Sequence, residues 1–274
     1  MKYKLCTTEK PSVAADIARV IGADKKEDGF FIGNGYIVTW AVGHLVGLAE
    51  PEAYGYVGLE NIWDKEQPEI KEKAYKELPL IPDKFKIIVL EQTKKQFEII
   101  KNLMHREDVE FIIDCGDMGA EGHILQWLIR EKAGNIKPVK RFCAVSMTDE
   151  AIREAMRNLK NADEYKSLII GEYCKKRADW ILGMSVSRCA SIKYSAKIDV
   201  GRVQSPTLYF VVKRFLEVNT FKTKNYYIIK AECDRGINLY WKKDNEGIFE
   251  DKDKDKEQLL LNRIIAENAV QEIK

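Results

Sequence analysis

VEFIID (109–114), CGDMGAEGH (115–123) and ILQWLIREKAG (124–134) follow one another without a break. The first is a short apolar run rich in β-branched residues, as a strand buried on both faces requires. The last repeats apolar residues at helical spacing and stops at Gly134, where a glycine suits the left-handed cap. Between them lies a loop bearing Asp117, Glu121 and three glycines, with Asp114 at its threshold. A strand, a glycine-bearing loop and a helix form the repeating unit of a Rossmann-like α/β sheet, whose ligands gather at the carboxyl ends of the strands.

The amino terminus has the same order. YKLCTT (3–8) reads as a strand, and EKPSVAADIARVIGA as a helix with Pro11 in its first turn and Val13, Ile17, Val20 and Ile21 on one face. FFIGNGYIVTWAVGHLVGL predicts two strands around Gly33-Asn34-Gly35. An irregular connection follows from Pro51 to Lys86, and its LPLIP (78–82) cannot be regular helix. EQTKKQFEIIKNLMHR (91–106) is helical by period; His105, near its end, suits the helix dipole. PVKRFCAVSM (138–147) predicts a further strand, with Thr148 capping the helix DEAIREAMRNL. Residues 163–193 and 203–216 read as helix, and NYYIIKAECD and INLYWKK alternate as strands. The expectation is therefore an α/β domain over 1–150 with a parallel sheet. A helical segment over 151–217 follows, then the start of a β-rich part over 218–274, cut short at Lys274.

Bulk properties narrow the classes. Hydrophobic residues make up 45% of 274, enough for a core and against disorder. Forty-five basic against 43 acidic residues leave a net charge of +2, so a nucleic-acid surface would have to be local. Six cysteines (6, 115, 143, 174, 189 and 233) include no CxxC pair and match no zinc spacing; they read as reduced thiols of a cytoplasmic protein. MKYKLCTTEKPS is too polar for a secretory signal, and no apolar run approaches the roughly 20 residues of a membrane helix. The charged run DKDKDKE (251–257) reads as a solvated loop.

Chemistry concentrates in two places. A carboxylate cluster at the end of a buried strand is costly unless a cation or hydrogen bonds compensate it. Magnesium, which accepts few carboxylates plus water and phosphate oxygens, suits Asp117 and Glu121. From this loop alone the reading stays open between a metal site and ordinary solvated acids. Glu9 and Lys10 are the second place. If their strand neighbours VEFIID, all four residues meet at one sheet edge. Glu9 would then move a proton or bind metal, and Lys10 would hold a phosphate. His44 reads as packing in a turn, with contact to DNA as the alternative, and Trp40, Trp127 and Trp180 read as core. Arg177 and Asp179 read either as an ion pair or as part of a groove.

Several blocks together resemble one family. Glu9-Lys10-Pro11-Ser12, Gly43-His44-Leu45 and Asp117…Glu121-Gly122 resemble the Toprim domain of type IA DNA topoisomerases of the topoisomerase III kind. Arg177-Ala178-Asp179-Trp180, Gly183-Met184 and Ser187-Arg188 resemble that family's helical DNA-binding region. Gly201-Arg202-Val203-Gln204-Ser205-Pro206-Thr207-Leu208 is close to its GRVQTPTL. The resemblance implies an enzyme that cuts one DNA strand through a tyrosine, passes another strand and reseals the nick. It implies proton transfer by Glu9, phosphate contact by Lys10 and Mg2+ at Asp117 and Glu121. Ser187, Arg188, Arg202, Gln204, Ser205 and Thr207 would line a path for single-stranded DNA. It names no protein partner and no membrane.

Two departures stand out. The family's Asp-Pro-Asp-Arg-Glu-Gly-Glu reads here Asp117-Met118-Gly119-Ala120-Glu121-Gly122-His123, so the middle acid is lost; Asp114 or His123 could compensate. None of the twelve tyrosines lies in the family's nucleophile motif, so this chain alone is expected to form no covalent DNA adduct. Tyr194 and Tyr209 read as packing or DNA-stacking residues. Two other readings stay open: a Toprim primase or nuclease, and a single-strand binding module with a degenerate metal site.

Overall fold

The computed structural model describes residues 2–58, 62, 68–223, 225–233, 236–240 and 263–273. Its frame is a seven-stranded sheet of order β2-β3-β4-β1-β7-β8-β9. The central strands β4 (Tyr36–Trp40), β1 (Tyr3–Thr8), β7 (Val109–Cys115) and β8 (Val139–Arg141) run parallel. β2 (Lys25–Glu27) and β3 (Phe30–Gly33) add antiparallel strands at one edge, and β9 (Lys160–Asn161) does so at the other, while β5 (Val46–Leu48) and β6 (Ile87–Val89) form a separate antiparallel pair. The expected α/β class and Rossmann-like sheet are present. The parallel part is confined to the centre.

Alternation explains why the centre is buried twice over. Leu5, Ile37 and Ile112 face one core with Phe97, Ile100 and Leu128. Their chain neighbours Cys6, Val38 and Ile113 face the other, with Ala14, Ile17 and Ile152. A strand of period two feeds both cores only when helices cover both faces. α1 (Pro11–Ile21) and α5 (Asp149–Arg157) cover one; α3 (Lys94–His105) and α4 (Ala120–Ala133) cover the other. Each fully buried Leu or Ile contributes about 1.5–3 kcal/mol.

Local chemistry sets the boundaries. Asn34 and Gly35 take φ of 47° and 77°, which closes the β3–β4 hairpin with the twist the strands prefer. Thr148 accepts from the Ala151 N–H at 3.4 Å and caps α5 as expected. The strand predicted over 138–147 is shorter, because its partner β7 ends at Cys115, one residue past the Asp114–Arg141 pairing. The connection from Pro51 contains a helix that periodicity missed, α2 (Pro68–Lys76), whose only buried residue is Ala74. Leu80, Phe85 and Trp180 pack together beside it. Trp180 lies on the long α6 (Lys166–Tyr194) and donates its indole N–H to the Ala49 carbonyl at 3.0 Å.

The chain divides into two compact units, Met1–Pro206 and Thr207–Lys274, and the division falls inside α7 (Gln204–Asn219). Within the second unit, β10 (Lys230–Cys233) and β11 (Ile237–Tyr240) form an antiparallel hairpin. Ile229 packs there with Ala266 and Ala269 of α8 (Arg263–Ile273). The predicted strand end at 241–243 and the DKDKDKE run lie outside the described residues. No described helix is long and apolar enough to cross a membrane.

Candidate active site

The carboxyl ends of β4, β1 and β7 lie side by side, so the segments leaving them share one edge of the sheet. β1 delivers Glu9 and Lys10. The Thr8 hydroxyl donates to the Lys10 carbonyl at 2.9 Å and shapes the turn into α1. β7 delivers Asp117, and Lys10 Nζ lies 3.6 Å from its Oδ2. β4 delivers His44, whose Nε2 lies 3.9 Å from Glu121 Oε1. Glu9 is partly buried beside Lys10 and enters no ion pair among the described residues. Asp117 and Glu121 are 54% and 76% exposed, which leaves both open to a ligand.

Sequence periodicity starts the second helix at Ile124; α4 begins at Ala120 instead. Its first turn, AEGH, carries no apolar stripe for periodicity to register. Gly119 is the N-cap, and its carbonyl accepts from the His123 N–H at 3.3 Å. Glu121 therefore sits in the first helical turn, where the helix dipole favours a carboxylate.

The three glycines of the segment play different parts. A side chain on Gly122 would meet the Asp117 carbonyl oxygen at 2.4 Å, and one on Gly116 would meet Gln126 Cγ at 2.8 Å. Both hold the loop tight against α4. Around Gly119 there is open space.

Beneath the loop lies a buried charge cluster. Asp114 accepts from Arg130 Nη1 at 2.6 Å, Arg141 Nη1 at 2.5 Å and the Gly116 N–H at 3.0 Å. Arg141 Nη2 also donates to the carbonyls of Gly116 and Asp117, at 2.7 and 2.6 Å. Asp114 is thus no stand-in for the lost acid: it is buried and neutralised by two guanidinium groups. His123 is no stand-in either. It is buried and stacked on Tyr165, with ring centroids 4.6 Å apart. Burial, aided by repulsion from Arg141, pulls its pKa down. The exposed carboxylates of this edge are accordingly Asp117 and Glu121, beside the partly buried Glu9, and they fit magnesium when phosphate and water complete its shell.

Family comparison bears on this edge directly. The Toprim domain family matches residues 4–147, which hold every residue of the edge. The chain belongs to the Toprim family. A second family, described as DNA topoisomerase, matches residues 163–274 beyond the Toprim domain. The chain is 38% identical over 255 residues to DNA topoisomerase 3 of Shouchella clausii, covering 92% of this chain and 33% of that protein. With DNA topoisomerase 3 of Bacillus subtilis the identity is 39% over 241 residues, 88% of this chain and 31% of the relative. The chain is thus similar to DNA topoisomerase 3 proteins in its Toprim domain and beyond, and it spans about a third of the length of these curated relatives. The structure of full-length topoisomerase I from Thermotoga maritima shares the fold: TM-score 0.57 at 22% identity, over 98% of this chain and 37% of that one.

Past the Toprim domain, the residues expected along DNA separate. Arg188 is buried; it donates to Glu77 Oε2 at 2.9 Å and to the Val57 carbonyl. The expectation that it lines the DNA path is corrected, because its guanidinium faces inward and ties α6 to the segment after Pro51. Ser187 is taken up by Val200: its hydroxyl donates to the carbonyl at 3.2 Å and accepts from the N–H at 2.8 Å. Arg202 stays half-exposed while gripping Asp179, with Nε–Oδ1 at 2.5 Å and Nη2–Oδ2 at 3.2 Å. Asp179 therefore pairs with Arg202 and not with Arg177, whose guanidinium lies 4.9 Å over the Phe85 ring. Gln204 is exposed, and Ser205 Oγ accepts from the Gly201 N–H at 3.2 Å. Thr207 and Tyr209, in the second unit, are exposed, as is Tyr194 in the first, so neither tyrosine is core packing.

Sequence reasoning missed two residues of the site. His44 is not packed in a turn but half-exposed beside Glu121; its place directly after a central parallel strand is the signal that would have found it. Arg141 left no local signal, since it acts on a loop 24 residues earlier.

Proposed function

We propose that this chain carries the acidic edge and the helical DNA contact of a type IA topoisomerase that cuts and reseals single DNA strands by transesterification. The observation that supports it best is Lys10 lying 3.6 Å from Asp117 across the β1–β7 edge, with Glu9 next to Lys10 in the chain. At such an edge Lys10 holds the scissile phosphate as a point charge. Glu9 exchanges a proton with the attacking or leaving oxygen. Asp117 and Glu121 would hold magnesium, which when bound supplies positive charge to the phosphate oxygens. Arg202, Gln204 and Ser205 contact the sugar-phosphate backbone, and Thr207 does so in the second unit; such contacts are largely indifferent to sequence. The nucleophilic tyrosine is not among the twelve of this chain. The six cysteines are all unpaired, which supports a reducing, cytoplasmic setting.

Binding of a labelled single-stranded oligonucleotide, followed by anisotropy with and without magnesium, tests the reading. Salt-sensitive binding that weakens in Lys10→Ala is expected, with no covalent product. Absence of binding, or primer extension or net hydrolysis of linear DNA, would overturn it.

A further inference from the structure

The acidic edge offers fewer ligands than a resident divalent ion requires, and the position of the missing one is identifiable. Among the described residues no three Asp, Glu, His or Cys side chains converge into a ligand set. Asp114 is committed to Arg130 and Arg141, and His123 is buried against Tyr165. Glu9, at the same edge, completes no set of three with Asp117 and Glu121, and each of these two already faces a nitrogen, of Lys10 and His44 respectively. Between them stands Gly119, with φ −69° and ψ 159°, a conformation open to any residue. Nothing lies within 4 Å of where its Cβ would stand, whereas the same test at Gly116 and Gly122 meets backbone below 3.0 Å. Glycine at 119 is therefore demanded neither by conformation nor by space, and it supplies no side-chain ligand between Asp117 and Glu121 in the chain.

We propose that this site takes up its divalent cation together with a DNA phosphate and not before it, and that Gly119 sets this dependence. The proposal rests on the edge being a DNA-phosphate site, as argued above. Two carboxylates supply part of an oxygen shell that magnesium completes with water and phosphate. Lys10 supplies the coupling. Without DNA its ammonium lies on Asp117; an arriving phosphate draws it away and leaves that carboxylate to the ion. The exchange is easy because the pair is exposed and weak. Coupling is reciprocal, so magnesium tightens DNA binding by the factor by which DNA tightens magnesium binding.

Magnesium chloride titrated calorimetrically into the chain, with and without a saturating mixed-sequence single-stranded oligonucleotide, tests this. Heats from titrating the oligonucleotide alone are subtracted. The expected result is magnesium binding at least about tenfold tighter with DNA. The linked increment vanishes in Glu121→Gln, which separates it from ions held by the DNA alone. Gly119→Asp is expected to bind the ion without DNA and to bring the two affinities together, while Gly119→Asn leaves them apart. Equal magnesium affinity in both states of the unaltered chain, magnesium binding in neither, or an unchanged ratio in Gly119→Asp overturns the proposal. If the chain binds oligonucleotide but shows no linkage, this inference alone falls. If it binds none at any magnesium concentration, the functional assignment falls with it.

Discussion

Asp114, near the end of β7, and Asp117, in the loop that follows, stand three residues apart and lead different lives. Asp114 is 2% exposed and held by two guanidinium groups; Asp117 is about half exposed and faces the exposed Lys10 ammonium. The lower carboxylate fixes the loop, since Arg141 bridges it to the carbonyls of Gly116 and Asp117. The upper one is left to bind. Burial and counter-charge assign the roles, and the spacing of the acids along the chain does not. Arg188 and Arg202 repeat the contrast on the helical side: one is locked onto Glu77 in the interior, the other holds Asp179 at the surface.

The contrast can be broken by substitution, and the largest effect is expected below the loop. Asp114→Ala strands two buried guanidinium groups and should lower the unfolding free energy by about 3–5 kcal/mol. Urea denaturation measures this, and a loss below about 1 kcal/mol would show that the cluster does not carry the loop. Arg188→Ala should follow at about 3 kcal/mol, because it leaves Glu77 without its partner. If it changed oligonucleotide affinity without changing stability, its assignment to the interior would be wrong.

Gly122→Ala forces a methyl group against the Asp117 backbone and should cost about 1–3 kcal/mol. It should also weaken magnesium-linked DNA binding, as Gly119→Ala should not, and a comparison of the two variants sharpens the difference between packing and open glycines. Asp117→Asn, above the loop, should alter stability by no more than about 1 kcal/mol, while calorimetry shows the magnesium linkage lost. The smallest change is expected from Arg202→Ala, with the thermal midpoint nearly unmoved. The slope of log affinity for single-stranded DNA against log salt should fall by about 0.7, as for one lost phosphate contact. An unchanged slope would remove Arg202 from the DNA path.

Much of the Toprim fold was legible in the sequence. Strands β1, β4 and β7 and helices α1, α3 and α5 lie where alternation and helical period put them. The reading failed where those patterns carry no signal. α2 has one buried residue, and the first turn of α4 shows no apolar stripe, so the pattern puts Glu121 on a loop where the structure has a helix. At the site, the neighbouring of Glu9-Lys10 and Asp117-Glu121 was foreseeable once the two strands were taken as adjacent and parallel. The part of His44 needed the same step, its place after parallel β4, because a lone histidine after a hairpin otherwise looks the same whether packed or exposed.

By itself, then, the sequence determined which segments are strands and helices, which faces are buried, and which charged residues leave the strands at one edge. Such patterns are local: periods of two and 3.6 residues record what each face of an element touches. Tertiary structure alone decided which of those charges are free to act. Arg141 reaches Asp114 from 27 residues away, and Arg188 reaches Glu77 from 111. The open space at Gly119, beside two crowded glycines, likewise exists only once α4 is packed on the loop. A charge is made structural or functional by what the fold brings within about 4 Å of it, and no period along the chain records that distance.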